Sequence, residues 1–358
     1  MRIIRFFLFT LLLAVHGWAE NLVLVNGTII DGTGKARTLG NVRIRDGKIT
    51  DIGVFRPGAG ETLLDVKGMI VAPGFINLEN PSDPAVVANQ ISQGVTTAFL
   101  GSDGNGPYLI EEFMLPFDEK PTVVNIAMLV GHSTIRRQIM GPDYKRAATA
   151  DEAERMRELL IEAGRQGAFG LATDLRNEPA SFSTPEELST LAKGVARFGG
   201  TWFVHPRDEN VKELLDIARN AKASIQLSLN NLSAAVLADI DRARMQGVDA
   251  GAHIYSYTEA GAMFRSLLHN PATAISFPQF LHDEKAATLE RVVQKLTGLP
   301  ASRFGMRERG GLRKGIPADI VVFSPMTSSS GMKYVFINGT LVLKDGQPTD
   351  ARPGQALR

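Results

Sequence analysis

Three side chains in this sequence have the types and positions needed to hold one metal ion together. Glu79 and Asp103 each follow an apolar run, and His205 ends a third run, TWFVH. Two carboxylates and one imidazole are a feasible donor set for zinc, iron or manganese. If the three runs are parallel strands of one barrel, their ends meet at one edge and the side chains converge there. The other interpretation is that Glu79 and Asp103 are solvated loop acids, or that they pair with Arg207.

The elements that would position these residues alternate between strand and helix. After Gly74 the apolar runs predicted as strands are 95–101, 123–131, 167–173, 201–206, 223–229 and 249–257. Helical periodicity predicts a helix starting at Thr149 or Ala150, and further helices at 185–198, 208–220 and 233–246. This alternation predicts parallel β/α units. At this length it favours a TIM-type barrel over an open sheet.

The two ends of the chain follow a different pattern. Residues 22–72 contain short apolar runs separated by turns, and Asn26-Gly27 and Asp46-Gly47 are strong hairpin signals. We therefore expect an antiparallel sheet there. After a last helix that follows Thr288, strand-like runs return within residues 301–358. That tail is expected to complete the sheet begun near the N-terminus.

The first 19 residues read as a signal peptide. Arg2 and Arg5 precede an apolar run, and Gly17-Trp18-Ala19 supplies small residues for cleavage. The run is too short to span a membrane. We expect a mature chain that begins near Glu20, has no membrane span and is exported, either periplasmic or secreted. An uncleaved anchor is the alternative.

Composition narrows the function classes. The chain has 358 residues, 44% of them hydrophobic, enough for a barrel-sized core and a small accessory layer. With 39 basic and 38 acidic residues, nothing indicates nucleic acid as a partner, and a small-molecule ligand is the expectation. The absence of cysteine excludes a disulfide framework. The oligomeric state stays open.

Several motifs together identify a resemblance to a known family. LVLVNGTIIDGTG, MIVAPGFIN, QGVTTAFLG and GGLRKGIPADIVVF are similar to motifs of the amidohydrolase superfamily. VGHSTIR, GAFGLAT, VHPRDE and HIYSYTEAG more narrowly resemble N-acyl-D-amino-acid deacylases. The resemblance implies a zinc-dependent barrel that hydrolyses amide C–N bonds, with a β-sandwich split between the termini. The implied domains are a sandwich part at 20–72, a barrel at 73–300 and a second sandwich part at 301–358.

At the metal-binding positions this chain departs from the family pattern. Glu79 and Pro81 stand where the family has two histidines, and Asp103 lies in the segment where it has a cysteine. His205 matches a family ligand, whereas Leu229 stands where another histidine is expected. The family's eighth-strand aspartate, the general base, has no counterpart. The eighth strand is therefore expected to be deleted or compressed into residues 272–277.

The resemblance also implies substrate-binding positions. His132 and Arg136 match a loop near the substrate, where an arginine could bind a carboxylate; a structural role for His132 is the alternative. Arg207 and Glu209 either contact the substrate or pair with each other. Tyr255 lies in a tyrosine-containing stretch of the family, with packing as its alternative role. His253 carries no recognisable motif, and we interpret it as structural.

Three functional hypotheses follow. The first is a degenerate family member that has lost zinc-dependent catalysis, binds no metal tightly and serves binding or structure. The second is an active hydrolase with one divalent metal bound by Glu79, Asp103 and His205. The third is hydrolysis without a metal, in which a remaining carboxylate acts as the base.

Overall fold

The described strands form one mixed sheet and two parallel sheets. The computed structural model describes residues 21–80, 90–208, 211–230, 233–254, 288–324 and 332–358. The predicted signal peptide, Pro81, Glu209, Tyr255 and the compressed segment at 272–277 lie outside the described residues.

The mixed sheet joins both ends of the chain. Its first strands are β1 (Leu22–Ile29), β2 (Thr38–Arg45), β3 (Lys48–Gly53), β4 (Thr62–Asp65) and β5 (Ile70–Pro73). Its last strands, from the C-terminal part of the chain, are β14 (Ile320–Phe323), β15 (Tyr334–Ile337), β16 (Thr340–Lys344) and β17 (Gln347–Pro348). β5 pairs antiparallel with β14, so the expectation that the tail completes the N-terminal sheet is confirmed.

The two hairpin signals near the N-terminus have different outcomes. Asp46 and Gly47 adopt φ angles of 50° and 75° in the turn that joins β2 to β3, as predicted. The prediction of a hairpin at Asn26-Gly27 is wrong. Asn26 has a φ of 62°, but β1 pairs with β2 on both sides of it, with a shift in register between Leu24 and Gly27. The Asn-Gly pair therefore forms a bulge within one strand.

The parallel strands run in chain order. They are β6 (Phe75–Asn77), β7 (Val95–Leu100), β8 (Asn125–Met128), β9 (Val130–Gly131), β10 (Gly170–Asp174), β11 (Thr201–His205), β12 (Ser224–Leu229) and β13 (Ala250–Ile254). β6, β7 and β8 pair in one sheet, and β9 to β13 pair in another. Only Leu129 separates β8 from β9, so one segment pairs with β7 first and with β10 next. The predicted parallel β/α arrangement is confirmed.

Helices cover the connections between these strands. They are α1 (Ile110–Glu119), α2 (His132–Met140), α3 (Ala150–Arg165), α4 (Pro185–Phe198), α5 (Lys212–Ala221), α6 (Ala234–Met245), α7 (Leu289–Leu296) and α8 (Gly298–Arg303). The predicted helix at 185–198 is confirmed at both ends, while α5 begins four residues later than expected. Thr149 caps α3 in a capping box with Glu152. None of the described helices is long and apolar enough to cross a membrane.

Helix α8 and the residue after it lie across the amino ends of the parallel strands. Arg303 forms an ion pair with Asp249 at 2.8 Å and donates to the backbone carbonyl of Asp249 at 3.1 Å. Thr201, at the start of β11, donates to the carbonyl of Arg303 at 2.8 Å. Phe304 packs against Phe99 of β7, with ring centroids 4.4 Å apart. The amino end of the strands is thereby covered, and the opposite, carboxyl end carries the polar side chains.

A buried polar network fastens the mixed sheet to the parallel strands. Asp319, just before β14, accepts hydrogen bonds from Asn125 of β8 at 3.0 Å and from Arg309 at 2.6 Å. The backbone N–H of Asn338 donates to Asp319 at 2.7 Å. Complete burial raises the pKa of Asp319 despite the nearby Arg309 charge. These contacts join three segments that are distant in sequence.

Removal of the Asp319 carboxylate should destabilise the protein strongly. We expect Asp319→Ala to lower the free energy of unfolding by about 3–5 kcal/mol, because it leaves the buried Arg309 charge without its partner. Urea denaturation followed by circular dichroism measures this. Arg165→Ala, which breaks an exposed pair with Glu162, is the control and should change stability by no more than about 0.5 kcal/mol. Equal effects of the two substitutions would contradict the account.

Candidate functional site

The polar side chains of interest lie at the carboxyl ends of the parallel strands. Glu79 follows β6, His205 ends β11, and Ser228 and His253 lie near the ends of β12 and β13. Ser228 and His253 are register partners on adjacent strands, so their side chains start from the same level. The sequence placed Glu79 and His205 together, and the structure adds Ser228 and His253.

Glu79 is the centre of this group. Its Oε1 accepts a hydrogen bond from Ser228 Oγ and another from His253 Nε2, the latter at 2.5 Å. Its Oε2 lies 3.8 Å from His205 Nε2. One carboxylate therefore links the first parallel strand to residues on β12 and β13, and it also approaches the end of β11.

The hydrogen positions on both imidazoles follow from their partners. Gln226 Nε2, which can only donate, lies 2.9 Å from Nδ1 of His253, so Nδ1 accepts and Nε2 carries the hydrogen. His205 Nε2 lies 3.0 Å from the carbonyl oxygen of Ser102, which can only accept. Nε2 of His205 therefore also carries a hydrogen. The His253 N–H is directed at Glu79, whereas the His205 N–H is directed at the Ser102 carbonyl.

The ionisation of the group follows from burial and from these bonds. Burial alone would raise the pKa of Glu79, but the hydrogen bond from His253 and the charges that His253 and His205 can carry outweigh it, and the pKa is lowered. Burial lowers the pKa of His205, and the Glu79 charge only partly opposes that shift. The group at neutral pH is thus an ionised carboxylate beside a neutral His205.

These residues do not fit a metal ion. Among the residues that the structure describes, no three His, Asp or Glu side chains are arranged to hold one. A metal-bound imidazole nitrogen must offer a lone pair, whereas Nε2 of both His205 and His253 carries a hydrogen. The Asp103 side chain instead accepts from the backbone N–H of Asn105, two residues away, at 3.1 Å. The predicted convergence of Asp103 with Glu79 and His205 in one metal site is therefore not observed.

A second carboxylate lies beside His205, and the sequence motifs did not indicate it. Asp174 is the register partner of His205 on the neighbouring strand. It accepts two hydrogen bonds from Arg176, both at 2.9 Å, and one from Asn177, also at 2.9 Å. Burial would raise the pKa of Asp174, but the Arg176 bonds and the His205 charge lower it. The position of Asp174 directly after the strand predicted at 167–173 could have marked it as a candidate site residue.

His132 and Arg136 are structural here rather than open to a ligand. Both are fully buried, and both bind Glu187: His132 Nε2 lies 2.8 Å from one carboxylate oxygen, and Arg136 donates to the other. Arg136 also donates to the backbone carbonyls of Tyr144 and Arg146. A substrate carboxylate would have to displace Glu187 from a closed cluster, so these bonds do not favour the substrate-binding role of Arg136, which stays a prediction.

Arg207 fastens a neighbouring loop. Its Nη2 donates to the carbonyls of Ser181 and Ser183, both at 2.8 Å, and the residue is exposed. These bonds replace the pairing with Glu79 or Asp103 that was one interpretation of the sequence. The partner predicted for Arg207, Glu209, lies outside the described residues, as does Tyr255.

The chain is similar to curated proteins over most of its length. It is 28% identical over 472 alignment positions to a D-aminoacylase of Alcaligenes xylosoxydans xylosoxydans, covering 94% of this chain and 97% of the relative. Because this chain has only 358 residues, at least 114 of those positions lack a residue here. The shortening is thus internal to the aligned region. No family model matches.

Solved structures show the same likeness. The crystal structure of an N-acyl-D-glutamate deacylase from Bordetella bronchiseptica, complexed with zinc and a phosphonate mimic of the tetrahedral intermediate, has a TM-score of 0.78 and 27% identity. It covers 95% of this chain, which covers 99% of that structure. A D-aminoacylase structure described as defining a subset of amidohydrolases matches with a TM-score of 0.76 and 24% identity, and shares the fold. This match covers 95% of this chain and 100% of the D-aminoacylase structure.

The Glu187 cluster predicts a pH-dependent stability. Burial opposes ionisation, but the bonds from His132 and Arg136 lower the pKa of Glu187 to about 2. A lowered folded-state pKa contributes stability that is complete above the unfolded pKa and is lost as the pH falls through the folded pKa. We expect Glu187→Gln to cost about 3–5 kcal/mol at pH 7, since Arg136 loses its counter-charge.

The difference between wild type and Glu187→Gln should then shrink as the pH falls from about 5 towards 2. Urea unfolding at a series of pH values measures it. Glu154→Gln, which breaks an exposed pair with Arg157, is the control and should show a much smaller difference at every pH. A Glu187→Gln difference that does not change with pH would contradict the assignment.

Proposed function

The chain is a homologue of the D-aminoacylases of the amidohydrolase superfamily, and from this premise we propose that it binds N-acyl amino acids without zinc-dependent hydrolysis. The ligand class comes from the relatives, which are named as deacylases of N-acylated D-amino acids. We further propose that the protein acts after export, as the N-terminal signal predicts. The chemistry of the site supports the loss of hydrolysis.

The observation that carries the proposal is the Glu79 carboxylate bound by the Ser228 hydroxyl and the His253 ring N–H. Zinc-dependent hydrolysis needs a metal with three or more protein ligands and an open position for water. Here Glu79 accepts from Ser228 and His253, and both histidines carry a hydrogen on the nitrogen nearest Glu79. Leu229 also replaces an expected ligand. The changes at Glu79 and Leu229 therefore both support the loss of zinc-dependent hydrolysis.

An active hydrolase with a single non-standard metal is the second candidate. The observation in its favour is the approach of Glu79 Oε2 to His205 Nε2 at 3.8 Å, which brings two donor types together. It needs Asp103 as a third donor, whose carboxylate is bonded within its own loop. It also needs the hydrogen on His205 to leave the Ser102 carbonyl. The binding proposal requires neither rearrangement.

Hydrolysis with a carboxylate base alone receives less support still. The two carboxylates nearest His205 are Glu79 and Asp174, and both have lowered pKa values, for the reasons given above. A carboxylate with a lowered pKa is a weaker base towards water. Both are also occupied by hydrogen-bond donors.

We also propose that the parallel strands close into a shortened TIM-type barrel. The Glu79 bonds to Ser228 and His253 support this, since they link the residue after β6, the first strand of the series, to β12 and β13, its last two strands. Helix α8 supports it from the other end, because Arg303 and Phe304 contact residues of several strands there. The internal shortening relative to the D-aminoacylases is consistent with a reduced eighth strand.

The binding proposal is tested with the purified mature chain and a series of N-acetyl-D-amino acids. We expect calorimetric binding, together with no release of free amino acid above a buffer blank when zinc is added. Arg207→Ala should weaken binding several-fold, because it removes a positive charge from the edge where an anionic ligand would enter. Arg165→Ala, on an exposed helix face, is the matched control.

A D-aminoacylase assayed in parallel serves as the positive control for hydrolysis. Zinc-stimulated release of amino acid by this chain would contradict the proposal and favour the metal-dependent alternative. Absence of binding to every N-acetyl-D-amino acid would overturn the assigned ligand class.

A further inference from the structure

The groups around the Glu79 carboxylate form a site in their own right. Ser228 Oγ and His253 Nε2 both donate to Oε1, and the N–H of His205 lies 3.8 Å from Oε2. Each of the three surrounding side chains is at least nine-tenths buried, with Ser228 at 1%, His253 at 7% and His205 at 1% exposure. Donors held inside protein are not in competition with bulk water, so they bind an anion more strongly than exposed donors do.

The donors are fixed in place before any carboxylate arrives. Ser228 and His253 lie on adjacent paired strands in register, so their backbones cannot move apart independently. The amide of Gln226 holds Nδ1 of His253 and thereby keeps the hydrogen on Nε2. The ring of His253 also packs on Phe203, with centroids 5.5 Å apart. Such preorganisation lowers the entropic cost of binding.

We propose that Ser228 and His253, with His205 beside them, form a recognition site for a small carboxylate, which the chain's own Glu79 fills. The ligand class is a monocarboxylate group. This rests on the proposed function and deepens it, since every N-acyl amino acid carries an α-carboxylate. Glu79 follows β6, whereas Ser228 and His253 lie on β12 and β13, so the carboxylate and its donors come from separate parts of the chain.

Glu79 then acts as an internal competitor of the ligand. A bound carboxylate takes the two donors only when Glu79 leaves them, and burial leaves little other solvation for an ionised Glu79. The wild-type site should therefore ignore simple carboxylates at concentrations that fill a variant without the Glu79 side chain.

The experiment uses formate, the smallest carboxylate, in buffer treated with a chelator so that no trace metal bridges the histidines. We expect formate to raise the melting temperature of Glu79→Ala by about 2 to 4 °C at ten times its dissociation constant. Wild type should not respond. Glu79→Gln is the matched control, because its amide fills the same space and should also not respond. Sodium chloride at equal ionic strength controls for screening.

A formate response of equal size in all three proteins would overturn the proposal, and so would a folded Glu79→Ala variant that formate does not stabilise. If Glu79→Ala is unfolded in plain buffer, the proposal requires formate to restore its folded circular dichroism spectrum, and failure to do so also overturns it. The formate experiment can fail or succeed separately from the binding test with N-acetyl-D-amino acids. Formate rescue without binding of N-acetyl-D-amino acids to wild type would retain this site and remove only the assigned ligand.

Discussion

The hydrogen bonds that Glu79 accepts from Ser228 and His253 are the interaction on which the site depends. They bring a residue that follows the first parallel strand to residues on β12 and β13, at the carboxyl ends of the strands. A zinc ion binds histidines through their lone pairs. Here the Glu79 carboxylate binds His253 through its ring hydrogen. The reversal of charge changes what the edge can bind and what chemistry it can perform.

Two other buried networks join separate parts of the fold. Asp319 ties the mixed sheet to β8 through Asn125, while Glu187 ties α4 to α2 through His132 and Arg136. In each case a carboxylate and an arginine share a site closed to water, so the loss of either partner leaves a costly charge. Arg303 pairs with the exposed Asp249 at the amino end of β13. The rigid parts of the fold are thus fixed by charge pairs that have no part in the site.

Hydrophobic periodicity predicted the strands and helices well, because it follows directly from which face of each element is buried. The run at 185–198 and the strand that ends at His205 are examples. Periodicity could not show which side chains meet. Asn26-Gly27 became a bulge because β2 pairs across it, and Arg136 became structural because Glu187, 51 residues away, reaches it. His253 was interpreted as structural because no motif marks it, although its place near the end of a predicted strand was a usable signal.

The most direct test of the account is the protonation and metal-binding state of His205 and His253. Long-range ¹H–¹⁵N correlation spectra of the imidazole rings, recorded at neutral pH before and after one equivalent of zinc, report both properties. The account predicts that both rings carry their hydrogen on Nε2 and that zinc leaves their nitrogen shifts unchanged. A zinc-dependent shift of Nε2 in either ring, with loss of its hydrogen, would show that a metal takes the place assigned here to the carboxylate of Glu79.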